Sequence, residues 1–154
     1  MKTLIIYSSK HGTTKECCAL VQQKLTHDSE IVSIEHNNTI DLSTVENVLI
    51  GSSVYAGKIN KHLLKWINDH LNILTTKKLG IFLCCSIEEE LDTYFNLFPS
   101  ALVQKSNLFY CGGKIDLEQH NFLVRLMLKK IMGGKKSPEL KKENITAIAE
   151  FFNQ

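Results

Sequence analysis

The residues best suited to chemistry lie together near the N-terminus. Tyr7-Ser8-Ser9-Lys10-His11-Gly12-Thr13-Thr14 is a hydroxyl-rich turn that follows the apolar run Leu4-Ile5-Ile6 and precedes a helical pattern. Hydroxyls from Ser9, Thr13 and Thr14 converge with the first unpaired N–H groups of the coming helix, and Gly12 permits close backbone approach. A phosphate placed there gains charge-assisted hydrogen bonds and the positive end of the helix. Lys10 adds charge from the rim, while His11 is read either as a donor to the phosphate or as a solvent-exposed turn histidine. An ordinary strand-to-helix turn with a capping hydroxyl is the competing explanation.

Other chemistries lack their residues. Gly12 is not followed by the lysine of a polyphosphate loop, and no GxGxxG opens a helix, which disfavours nucleoside triphosphates and NAD and leaves a terminal monophosphate. The six histidines form no HExxH or comparable metal pattern, and there is no Gly-x-Ser-x-Gly nucleophile elbow. Glu88 and Glu89 are adjacent, so on extended backbone they face opposite ways and offer no carboxylate pair for glycoside cleavage. Cys17, Cys18, Cys84, Cys85 and Cys111 show no CxxC spacing, so they are expected to be reduced and, at strand ends, to serve as small hydrophobes.

The elements that must position the turn follow from the apolar periodicity. Buried strands are expected near 2–8, 30–35, 46–52, 79–85 and 107–112. Between them, Thr13–Thr26 repeats Cys18, Val21 and Leu25, and Asn60–Leu74 repeats Leu63, Leu64, Ile67, Leu71 and Leu74 on one face. A weaker helix is expected between Glu90 and Phe98, stopped by Pro99, and an apolar one over about Glu118–Met132, ended by Gly133-Gly134. Ser137 and Pro138 suit the start of a last helix whose inner face is Ile145, Ile148, Ala149 and Phe152. Alternation of this kind predicts a doubly wound α/β sandwich, a single domain over 1–154, with its ligand crevice at the strands' C-terminal ends. With 154 residues, 44% of them hydrophobic, the chain can fill such a core. No signal peptide or membrane span is apparent, so a cytoplasmic protein is expected.

At the level of motifs, the turn from Tyr7 to Thr14 resembles the T/S-x-T-G-x-T phosphate site of flavodoxins, and Gly51-Ser52-Ser53-Val54-Tyr55-Ala56-Gly57 resembles their second flavin loop. More narrowly, Gly112-Gly113-Lys114-Ile115, Phe122–Lys130 and Ile131-Met132-Gly133-Gly134 resemble the C-terminal region of the flavodoxin-like menaquinone-dependent protoporphyrinogen dehydrogenases. The resemblance implies a five-stranded parallel sheet of order 2-1-3-4-5, an order taken over and not read from periodicity. It further implies FMN, with phosphate on Ser9, Lys10, His11, Gly12, Thr13 and Thr14. The ring edge would be held by Ser53, Val54, Tyr55, Ala56 and Gly57 and by Cys85, Ser86 and Ile87. Within that frame Tyr55 can stack on the ring and Gly57 lets a peptide reorient beside it, although matching on the glycine puts Tyr55 where the dehydrogenases more often carry a basic residue. A partly buried strand-end tyrosine is the alternative.

Two functions follow from the resemblance. One is a dehydrogenase that passes electrons from a porphyrinogen through FMN to a quinone; the other is a small electron-transfer flavodoxin that serves a redox partner protein. The short segment Ser86–Ser106 counts against the first, because those dehydrogenases carry a longer basic insertion there. The net charge of +2 counts against the second, because electron-carrier flavodoxins are typically acidic. A vacant turn, or one that holds another anion, stays open as a third. Arg125, Lys129, Lys130, Lys135, Lys136, Lys141 and Lys142 crowd the C-terminal region, which suits anionic lipid at the inner face of the membrane, an acidic protein or porphyrin propionates, with a solvated lysine face as the default. Nucleic acid is not among the expected partners, and Phe122, Leu123, Leu126, Met127 and Ile131 are expected to be mostly core.

Overall fold

A computed structural model of the chain describes residues 1–36, 39–113, 121–132 and 139–154. The strands are β1 (Lys2–Ser8), β2 (Asp28–Ser33), β3 (Asn47–Ser53), β4 (Lys78–Cys84) and β5 (Ser106–Tyr110). They form one parallel sheet of order β2-β1-β3-β4-β5, as expected. The helices are α1 (Thr13–Gln22), α2 (Lys61–Asp69), α3 (Leu71–Leu74), α4 (Leu91–Phe95), α5 (Ser100–Lys105), α6 (Phe122–Met132) and α7 (Lys142–Asn153).

Side chains that alternate along each strand fill two cores. Leu4 and Ile6 of β1, Val48 and Ile50 of β3, and Leu79, Ile81 and Leu83 of β4 pack under α2, α3, α4 and α5 through Leu63, Ile67, Leu74, Phe95 and Leu102. Ile5 and Tyr7, Leu49, Phe82 and Cys84 point the other way, against Cys17, Cys18 and Val21 of α1 and Ile145, Ile148 and Phe152 of α7. Burial on both faces explains why these strands read as continuous apolar runs without a polar side. It also fixes the register that brings the C-terminal ends of β1 and β3 together.

Several boundaries differ from expectation for local reasons. Asn60 caps α2 from outside, its Oδ1 accepting from the N–H groups of His62 (2.8 Å) and Leu63 (3.1 Å). The expected helix to Leu74 breaks at His70, whose backbone leaves the helical region. Pro99 begins a helix and does not end one: α4 already stops at Phe95, and the Pro99 carbonyl accepts from Leu102 and Val103 as α5 follows from Ser100. The last helix starts at Lys142, not near Ser137, because Leu140 is drawn into an antiparallel bridge with Gly112. Ser137 and Pro138, the stop at Gly133-Gly134, and Lys135-Lys136 lie outside the described residues.

The expectation for α6 is overturned. Phe122 and Leu123 are each 71% exposed, Met127 61% and Leu126 50%, so these four side chains are not core. An apolar period reports which residues share a face; it does not say that a neighbour covers that face. The side chain of Ile131 lies outside the described residues.

Candidate functional site

Gly12 sits at the N-cap of α1 with φ +87°, a left-handed conformation that an L side chain resists. Its N–H donates to the Ser9 hydroxyl at 3.0 Å, which closes the turn, and its carbonyl accepts the first helical bond from Glu16 at 3.0 Å. No side chain caps the helix, so the N–H groups of Thr13, Thr14 and Lys15 have no partner within it. A Cβ built on Gly12 would meet nothing within 4 Å, which leaves the approach to these donors open. Just inside, the Thr14 side chain is buried and its hydroxyl makes no hydrogen bond among the described residues. A buried hydroxyl without a partner costs stability, so its position at an uncapped helix end fits an anion supplied from outside.

Behind Thr14 lie three thiols. The sulfurs of Cys17 and Cys84 are 3.6 Å apart, and Cys111 is drawn into the same contact by Cys17. The Cys17 thiol and burial hold the Cys84 thiol well above the usual range, and burial does the same for Cys18. All five cysteines are buried thiols outside any disulfide, and those of Cys18, Cys84, Cys85 and Cys111 are held above the usual range, which keeps these four protonated at neutral pH.

Across the sheet, the loop after β3 forms a tight hairpin in which Tyr55 and Lys58 exchange backbone hydrogen bonds of 3.1 and 3.0 Å. Its two central residues, Ala56 and Gly57, have φ of +50° and +71°. Two successive positive φ values are the geometry of a primed turn, natural for Gly57 and strained for Ala56. Tyr55 projects from the hairpin 43% exposed. The Lys10 ammonium lies 3.4 Å from its ring centroid and the His11 ring is tilted against it at 6.0 Å, so the first loop is tied to the second through the tyrosine.

Between these loops opens a cleft of about 640 Å³, lined by Ser9, Lys10, Ser53, Tyr55 and Ala56 among the expected residues. Ser8 lines it from the same turn, and Glu35, Lys58, Ile59, Asn60 and Lys61, none of them among the expected site residues, do so from the ends of β2, the hairpin and the start of α2. The volume falls within the range of small-molecule sites. Lys10, Lys58 and Lys61 give the cleft a positive rim against the single carboxylate of Glu35. His11, Gly12, Thr13 and Thr14 lie beside the cleft at the helix end, and Val54 and Gly57 complete the hairpin without lining it.

The third loop is placed differently. The Val54 N–H donates to the Cys84 carbonyl at 3.0 Å, which joins the loop to the hairpin. Both backbone groups of Cys85 are already used: its N–H donates to Gly112 and its carbonyl accepts from the Tyr110 hydroxyl at 2.9 Å. Burial pushes the Cys85 thiol up to about 11. Ser86 and Ile87 are exposed and do not line the cleft. Glu88 is held away from it by Lys141, at 3.1 and 3.2 Å. Gly112 and Gly113 brace this corner, since a Cβ on Gly112 would lie 2.1 Å from the Glu139 carbonyl oxygen and one on Gly113 2.8 Å from that of Cys85.

A doubly wound sheet of this order, with an open helix end at the strand switch, defines a flavodoxin-like α/β protein. The chain belongs to the flavodoxin-domain family, whose model (Flavodoxin_5, Flavodoxin domain) matches residues 4–141. A flavodoxin of Clostridium saccharobutylicum is 28% identical over 119 residues, covering 73% of this chain and 74% of that protein. The structure of oxidised flavodoxin 2 from Bacillus cereus matches 99% of this chain and 97% of its own at a TM-score of 0.63 with 20% identity. A flavoprotein of Lactobacillus acidophilus NCFM in complex with FMN matches 73% of this chain and 92% of its own at 0.53 and 19%. These structural likenesses concern the fold. No helix among the described residues is long and apolar enough to cross a membrane, and none of their His, Cys, Asp and Glu side chains form a metal-binding group.

Proposed function

We propose that this chain is an electron-transfer flavodoxin that binds FMN at the turn from Ser9 to Thr14. The observation that carries the reading is the buried, partnerless hydroxyl of Thr14 at the uncapped start of α1, in a chain matched by the flavodoxin family over residues 4–141. FMN, when bound, supplies reversible electron transfer through its ring system. The protein's part is to hold and insulate it. Gly12 opens the approach, Thr14 and the first-turn N–H groups donate to the phosphate, and Tyr55 offers an aromatic face once Lys10 moves from its ring toward the anion. Ser86 and the N–H of Ile87 supply the open backbone of the third loop, because that of Cys85 is engaged and the Ile87 carbonyl already accepts from Glu90.

Lys10, Lys58 and Lys61 around the cleft favour a redox partner protein that presents carboxylates. We place this exchange in the cytoplasm with a peripheral contact at the membrane through the basic C-terminal region. Porphyrinogen oxidation with transfer to a quinone is the narrower reading; the flavodoxin relatives favour the carrier. Titration of the purified chain with FMN, followed by quenching of flavin fluorescence, tests the proposal: saturable quenching is expected, and its absence refutes it. Anaerobic addition of protoporphyrinogen and a menaquinone analogue to the loaded protein is expected to leave porphyrin appearance at the background rate.

A further inference from the structure

Helix α6 is an apolar element with few contacts to the other described elements. Phe122, Leu123, Leu126 and Met127, all half or more exposed, fall in one sector of about 140° on a helix of 3.6 residues per turn. Lys130 lies within that sector, and Arg125 and Lys129 lie along its edge. The helix contains no Asp or Glu. A soluble domain does not leave four large side chains side by side in water without a use.

The geometry points to an anionic lipid surface as the occupant: α6 lies flat at the interface, its four apolar side chains among the acyl chains and its three cations among the headgroups. This deepens the peripheral contact proposed above and stands apart from flavin binding. Eleven residues are too few to span a bilayer, so the helix rests in the interfacial plane. Lys130 is compatible with insertion because its stem follows the apolar sector while its ammonium reaches outward. A second copy of the chain is a poorer fit. A two-fold contact on this face would set Arg125, Lys129 and Lys130 against their own copies with no acid on the helix to pair them. An acidic protein would satisfy the cations, yet among the described residues α6 has few neighbours and forms no groove for its apolar side chains.

Co-sedimentation of the full chain with phosphatidylglycerol and with phosphatidylcholine vesicles tests the assignment. Binding to the anionic vesicles is expected to be roughly 100-fold tighter, the sum of three basic side chains near a charged surface, and to weaken as salt rises. The double substitution Leu123→Glu and Met127→Glu should abolish binding to both lipids. Arg125→Glu with Lys129→Glu should remove only the preference for the anionic one. These positions are exposed, so melting curves should match the wild type; variants that melt early are replaced by Leu123→Ser and Met127→Ser. Wild-type protein that stays in the supernatant with anionic vesicles overturns the assignment. So does retained binding by the Glu pair, or a dimer in sedimentation velocity that the Glu pair dissolves while lipid binding is absent. FMN titration of the same samples reads the cofactor proposal separately, because none of these substitutions touches the cleft.

Discussion

Replacing Thr14 with valine separates a phosphate-binding hydroxyl from a structural one, because the two roles predict opposite signs in stability. The Oγ1 atom is buried with no hydrogen-bond partner, so in the flavin-free protein it contributes a desolvation cost of about 1–3 kcal/mol. Valine has nearly the same shape and no polar atom. The flavin-free variant should therefore be more stable by about 1 kcal/mol, seen as a rise of about 0.5 M in the urea midpoint. With FMN the sign reverses. Loss of a hydrogen bond to a charged group is worth about 1.5–3 kcal/mol, so the dissociation constant read from fluorescence quenching should rise roughly 10- to 100-fold. A variant that is less stable without flavin, with unchanged affinity for it, would refute the reasoning and assign the hydroxyl to the Cys84 thiol it lies near.

Ala56→Gly should stabilise the protein by about 0.5 kcal/mol in urea, the relief of a left-handed alanine outweighing the added chain entropy of glycine. Gly112→Ala should lower the melting temperature by at least about 5 °C, because the new methyl would sit 2.1 Å from the Glu139 oxygen at φ +79°. The Cys85 thiol titrates at about 11 in the folded protein against 9.0 ordinarily, so the unfolded chain gives up this proton first as pH rises. Its contribution to stability is complete below pH 9.0 and falls between there and about 11, and melting curves taken across that window should decline steadily. Iodoacetamide at neutral pH should label the native thiols slowly and all of them once urea unfolds the chain.

Much of the architecture was legible because double-sided burial writes itself plainly: Leu4-Ile5-Ile6, Val48-Leu49-Ile50 and Leu79 to Cys84 have no polar face to disguise them. The turn at Gly12 was legible because few residue patterns suit an open helix start. The cleft was only half legible. Ser9, Lys10, Ser53 and Tyr55 belong to the quoted loops, whereas Glu35, Lys58 and Lys61 reach it from positions whose side-chain direction depends on the assembled sheet. Engagement of the Cys85 backbone by Gly112 and Tyr110 is a long-range matter that no local pattern encodes. The exposure of α6 was hidden for the converse reason, since an apolar helix looks alike whether a core or a bilayer receives it.

The pairing of Gly112 with Leu140 closes the connection between β5 and α7 into a loop. Closing such an excursion costs free energy that grows only with the logarithm of its length. A change in the length of that connection is therefore expected to cost little while β5 still feeds α7 across the same stitch. None of the described residues lining the cleft belongs to that connection, so its length can vary apart from what the cleft holds.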